Sequence, residues 1–213
     1  MQLAFSTTAS NGFIGNLDGF ALMNVLAAPS PASPYISALL FAQFQAQFAA
    51  VTVGILLGAV AERARIFPTI VFTFVWTTLV YCPMACWIWN PTGWAYKWGV
   101  LDFAGGGPVE IASGMGALAY SIMLGPRDGT GPKGVIKSHR PHSISNVVLG
   151  TTFLWFGWFG FNAGSALGAN LRAVMAFLVT NLAGCTGAMT WIFMDWRLER
   201  KWSVVGVFSF SRS

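Results

Sequence analysis

Long apolar runs alternate with short polar breaks along the whole chain. A bilayer core about 30 Å thick takes about 20 apolar residues per helix, and five runs reach that length, at about 36–61, 66–89, 103–124, 144–164 and 171–196. They predict an all-α polytopic membrane protein with about five transmembrane helices. A further run opens at Val204 and stops at the terminus, too short to cross. Leu3-Ala4-Phe5 is an apolar stub without the hydrophobic core or small-residue cleavage site of a signal peptide.

Composition agrees with a lipid solvent. Charged residues make 9% of the chain and hydrophobic types 55%, whereas an ordinary soluble domain carries about 25% charged residues. The 12 basic and 7 acidic side chains could not cover a water-soluble fold of 213 residues. A cytosolic globular enzyme and a disordered chain are both excluded on this ground. Cys82, Cys86 and Cys185 lie inside apolar runs with no CxxC spacing and read as small buried hydrophobes.

The net charge of +5 would suit nucleic acid only if the basic residues clustered on a soluble face. They sort by topology instead. With the first long run entering from outside, the inside loops hold Arg63 and Arg65, then Arg127, Lys133, Lys137 and Arg140, then Arg197, Arg200 and Lys201. The outside loops hold Lys97 and Arg172, so the chain follows the positive-inside rule and no nucleic-acid patch remains. Residues 125–143 read as a cytoplasmic basic loop. Its glycines do not form a phosphate loop, because no Gly-Lys-Ser/Thr closes the pattern, and His139 and His142 read as solvated rather than metal-ligating. Asn90-Pro91-Thr92 fails as a glycosylation acceptor because proline holds the middle position.

Within the spans, the polar and small residues carry the information. Gly160 and Gly164 form a GxxxG step, a spacing that lets helix backbones approach closely. Glu110 lies inside the third run between Val109 and Ile111. A carboxyl at that depth costs several kcal/mol, so it faces the protein interior or a watery path. It is either a hydrogen-bonded structural group or the lining of a permeation or proton path. Asp102 stands just before the same run, where N-capping accounts for it. Glu62 lies beside Arg63 and Arg65 and suits an interfacial ion pair. Gln43, Gln45 and Gln47 share the first run with Phe44 and Phe48, which fall four apart on one helical face.

Four stretches in order, AFSTTASNGFIGNLD, FAAVTVGILLGAVAERARI, LDFAGGGPVEIASGMGALAYSIMLGPR and WFGWFGFNAGSA, resemble the ammonium transporter family (Amt/Mep/Rh) on its fungal branch. The similarity runs over about residues 3–206. It implies part of an eleven-helix inverted-repeat bundle, assembled as a homotrimer in the plasma membrane. The implied substrate is ammonium or ammonia, with methylammonium as analogue, and neither an enzymatic activity nor a cofactor or metal is implied.

The family's pore residues map position by position. Trp89 and Ser165 match the outer recruitment site, and Asp102 matches the structural aspartate that supports it. Phe48 and Phe161 match the aromatic gate, and Phe44 the other outer-vestibule phenylalanine. Glu110 falls where the family places the first of two facing pore histidines, and some fungal members also carry glutamate there. The physical logic fits: aromatic faces attract a cation stripped of water, a hydroxyl accepts a hydrogen bond from ammonium, and a carboxyl can take and release a proton.

The resemblance begins near the end of the family's second span and fades after WSVVG, with the tail GVFSFSRS off the pattern. The second pore histidine would lie beyond residue 213. The chain is therefore expected to be a fragment, from an incomplete gene model or a truncated product, with conduction by itself not expected. The alternative functions are a non-conducting truncated paralogue and an ammonium sensor or signalling protein.

Overall fold

The computed structural model describes residues 2–6, 11–30, 33–126, 142–200 and 202. Most of the 125–143 loop, including His139, lies outside the described residues. The chain forms two compact units, residues 1–130 and 131–213.

In the first unit, a short helix α1 (Gln2–Phe5) precedes a small antiparallel hairpin of β1 (Pro29–Ser30) and β2 (Ser33–Ser37). Helix α2 (Ala38–Gly58) starts where the Ser37 hydroxyl accepts from the Leu40 amide at 3.3 Å, a side-chain cap for one orphan donor. It is shorter than the predicted run, because Ile36 and Ser37 belong to the strand and residues 59–63 turn back toward the next helix. The second run folds as α3 (Ile66–Trp76), a π-helical segment Thr77–Tyr81 and α4 (Cys82–Trp89). The widened turn has a cause in the sequence. Pro83 has no amide to donate and its ring would crowd a carbonyl one turn back, so the backbone slips by a residue and the Cys82 amide bonds Thr77 O.

After the short α5 (Trp94–Lys97), a second π-helical turn, Gly106–Ile111, leads into α6 (Ala112–Leu124). It too contains a proline, Pro108. The predicted span from Phe103 therefore starts late, and its α-helical part is only 13 residues long. Among the described residues four helical stretches are long and apolar enough to cross a membrane, and this one is not among them.

Helix α2 packs on α6, and α1 packs on α4. The interior of the unit is closed by Phe48, Leu56, Val60, Tyr81, Cys86 and Val109, all nearly or fully buried. At the other end of α6, Arg63 donates to the Gly125 carbonyl and caps the helix C-terminus.

The second unit is a helical hairpin of α7 (Ile144–Gly164) and α8 (Leu171–Glu199), each opened by a side-chain cap, Ser143 and Asn170. Phe159 stacks on Phe177 at 4.3 Å, and Asn162 donates to the Thr180 hydroxyl at 2.8 Å. The close backbone approach falls at Gly184, where a β-carbon would lie 2.8 Å from the Trp155 ring. Gly160 of the GxxxG step has open space instead, with nothing described within 4 Å of such a carbon. Both helices expose large apolar side chains such as Phe153, Phe156 and Met189, which suits a lipid or protein neighbour and not water.

Candidate functional site

In the first unit the site is built from the end of one helix, the start of another and one face of a third. Helix α2 sets Phe44 and Phe48 one turn apart, with ring centroids 4.8 Å apart and tilted by 62°. Phe48 is 2% exposed. The Thr52 hydroxyl donates back to the Phe48 carbonyl at 2.6 Å, which ties that turn to the helix axis.

Trp89, the last residue of α4, meets Phe48 edge to face at 5.6 Å and 85°. This is one of the preferred aromatic geometries, because the positive ring edge points at the negative face. The Trp89 indole N–H donates to the Asp102 carbonyl at 3.0 Å. Phe5 stacks on the Trp89 ring, 6.3 Å away and 15° from parallel.

Asp102 does two jobs. Its carbonyl holds Trp89, and its carboxylate spans the opening of the next helix, accepting from the amides of Gly105 at 2.6 Å and Gly107 at 2.7 Å. An anion suits orphan N–H groups at a helix start. Gly105 adopts φ +108°, where a side chain would be strained, and a β-carbon there would lie 3.3 Å from the Trp89 ring. The aspartate spacing from sequence is therefore a cap in three dimensions as well.

Glu110 belongs to the π turn that Asp102 opens. Its amide reaches the Gly105 carbonyl five residues back at 3.2 Å, and its own carbonyl accepts from the Ser113 hydroxyl at 3.1 Å. The extra residue in this turn rotates Glu110 away from the face that an unbroken α-helix would give it. The side chain is half-buried.

Phe44, Phe48, Trp89, Asp102 and Glu110 thus belong to the same unit, and Phe48, Trp89 and Asp102 are in direct succession. Phe161 and Ser165 sit in the second unit, at the end of α7. There the Ser165 hydroxyl donates to the Phe161 carbonyl at 2.9 Å, and both side chains are half-buried.

Two residues of the aromatic cluster have no weight in the sequence reading. Phe5 appears there in an apolar stub and inside the stretch AFSTTASNGFIGNLD without a role of its own, and Asn90 only as a failed glycosylation acceptor. The available signal was Asn90's place directly between Trp89 and a proline, at the end of an apolar run. Gln45 is also buried where Gln43 and Gln47 are exposed. An open apolar groove of about 780 Å³, flanked by Ala49, Val53, Ile70, Phe74, Leu17 and Phe20, contains none of the site residues.

The family model described as the Ammonium Transporter Family matches residues 1–210. Ammonium transporter 2 of Schizosaccharomyces pombe is 57% identical over 206 residues, covering 96% of this chain and 40% of that one. Ammonium transporter MEP2 of Saccharomyces cerevisiae is 50% identical over 210 residues, covering 98% of this chain and 42% of that one. The crystal structure of Saccharomyces cerevisiae Mep2 superposes with a TM-score of 0.90 at 50% identity, covering 99% of this chain and 46% of that one. The chain spans about two fifths of the length of these curated relatives.

Proposed function

This chain belongs to the ammonium transporter family, and we propose that it supplies the outer vestibule and one proton-handling position of a path for ammonium or ammonia across the plasma membrane. The family is one of transporters, and the chain is an all-α polytopic membrane protein and not an enzyme.

The family's recruitment positions are Trp89 in the first unit and Ser165 in the second, and each has the chemistry to meet a cation leaving water. An indole face stabilises a partly desolvated cation by about 0.5–2 kcal/mol, and a hydroxyl oxygen accepts one of its N–H groups. Phe44 borders the vestibule, and the aromatic-gate positions are Phe48 in the first unit and Phe161 in the second. Full desolvation of an ion is far costlier than these contacts repay, so the proton separates and ammonia transits the narrow apolar part. Glu110 takes part in moving that proton. Asp102 holds the recruitment tryptophan and the helix start in register. Assembly is as a homotrimer with one path per subunit, and methylammonium serves as analogue.

The observation that carries the reading is the run Phe44–Phe48–Trp89–Asp102. An aromatic pair, a cation-attracting indole and the main-chain carbonyl that holds its N–H follow one another within contact distance. The test replaces the matching segment of Saccharomyces cerevisiae MEP2 with this chain, in yeast deficient in ammonium uptake. Growth on low ammonium and saturable methylammonium uptake are expected. A chimaera that reaches the plasma membrane and takes up neither would refute the reading.

A further inference from the structure

We infer that Phe5 and Asn90 are positioning residues for Trp89, with Asn90 latching the N-terminal turn so that Phe5 backs the indole ring. The inference rests on the proposed role of Trp89 in cation recruitment.

Asn90 is completely buried. Its amide nitrogen donates to the Ala4 carbonyl at 2.9 Å and the Ser6 carbonyl at 3.0 Å, using both N–H groups. Its amide oxygen accepts from the Thr92 amide at 3.0 Å and the Thr92 hydroxyl at 2.8 Å. A side-chain amide has two donors and two acceptor sites, and here all four are filled. Half of that set closes the turn after α4. The other half reaches across more than eighty residues of sequence to the two carbonyls that flank Phe5.

A helix of four residues has no stability of its own, so its position comes from what grips it. The grip falls on either side of Phe5, whose ring then stacks on Trp89 and meets Phe41 of α2 edge-on at 5.2 Å. Trp89 is thereby bounded by the Phe5 ring, by the Phe48 ring and by the Asp102 carbonyl. Latch and indole are consecutive residues, so the turn that orients one orients the other.

The alternative is that Asn90 only closes its turn and Phe5 only fills space. The MEP2 chimaera carrying this full chain separates the two. Loss of one aromatic stack corresponds to about two- to tenfold in an equilibrium constant. Phe5→Leu and Asn90→Ala should therefore raise the methylammonium KM about two- to tenfold, with the maximal rate per surface molecule little changed. Phe5→Tyr should keep the parent KM, and Phe5→Leu added to Trp89→Leu should raise KM no further. An unchanged KM in both single variants, with only surface abundance reduced, overturns the inference.

If the unsubstituted chimaera transports nothing, the transport reading fails, and the placement of Trp89 is still measurable. Hydroxyl-radical footprinting of the purified protein, read by peptide mass spectrometry, should show faster Trp89 oxidation in Phe5→Leu and Asn90→Ala. Equal oxidation in parent and variants overturns the inference independently of transport.

Discussion

The indole N–H of Trp89 donates to the main-chain carbonyl of Asp102 at 3.0 Å, while the carboxylate of the same aspartate accepts two amides at the start of the helix carrying Glu110. One residue therefore joins the end of α4 to the π turn before α6. Displacing Asp102 shifts both the ring proposed to meet the cation and the carboxyl proposed to meet the proton.

Asp102→Ala leaves the Gly105 and Gly107 amides without their acceptor. A partly buried donor left unmade costs about 1–3 kcal/mol, so the substitution should destabilise the protein by about 2–4 kcal/mol. Asp102→Asn keeps one acceptor oxygen and should cost less. Thermal unfolding of the purified protein in detergent measures both. A midpoint for Asp102→Ala equal to the parent's would show that the cap contributes nothing.

Glu110→Gln keeps shape and hydrogen bonding while removing the titrating proton. A carboxylate that accepts a proton from the substrate loses that capacity once acid protonates it, so uptake through Glu110 falls on the acid side. The glutamine variant has no such limb. Methylammonium uptake by the MEP2 chimaera between mildly acidic and neutral pH should therefore change shape, and superimposable pH profiles would remove Glu110 from proton handling.

Phe48 is 2% exposed and packs on both Phe44 and Trp89. Phe48→Ala should cost about 3–5 kcal/mol from lost burial and the remaining cavity. Phe48→Leu, which restores most of the volume, should cost under about 2 kcal/mol. If the ring also gates, Phe48→Leu alters methylammonium uptake at near-parental stability. Chemical denaturation paired with uptake separates the two effects.

Close helix approach should be sensitive at two glycines and tolerant at a third. A β-carbon at Gly116 would lie 2.6 Å from Leu56 Cδ1 and 3.1 Å from the Trp76 ring, and one at Gly184 would lie 2.8 Å from the Trp155 ring. Leu56 is fully buried and has little room to give. Alanine at Gly116 or Gly184 should therefore destabilise the chain by about 1–3 kcal/mol. Gly160→Ala meets open space and should be neutral, or stabilising by about 0.5–1 kcal/mol through helix propensity. Melting temperatures of the three variants in one detergent decide this, and loss only at Gly160 would reverse the assignment.

The helices themselves were legible because membrane-length apolar runs have few other stable conformations: in lipid every backbone amide must bond within its own helix. Asp102 was legible as a cap because the residues after it are a run of glycines opening an apolar helix. The Phe44–Phe48 pair was legible from its four-residue spacing. The π turns were not, since each depends on how a proline is accommodated against neighbouring helices. The late start of the third run goes with Pro108 in that turn and with Gly105 before it, which is left-handed and passes close to the Trp89 ring. Which glycine meets a partner was not legible in the sequence either. Small residues permit close approach but do not choose the partner, and Gly184 meets Trp155 while Gly160 faces open space.

From the sequence alone came the solvent, the helices and their order, and the sorting of basic residues by loop. All of these depend on hydropathy and charge, properties each residue carries wherever the chain folds. Tertiary structure alone decided that Asn90 grips the carbonyls around Phe5 and that Asp102 serves Trp89 and the Glu110 helix together. Those contacts join residues far apart in the chain through directional hydrogen bonds. Only the folded backbone brings such donors and acceptors within 3 Å of one another.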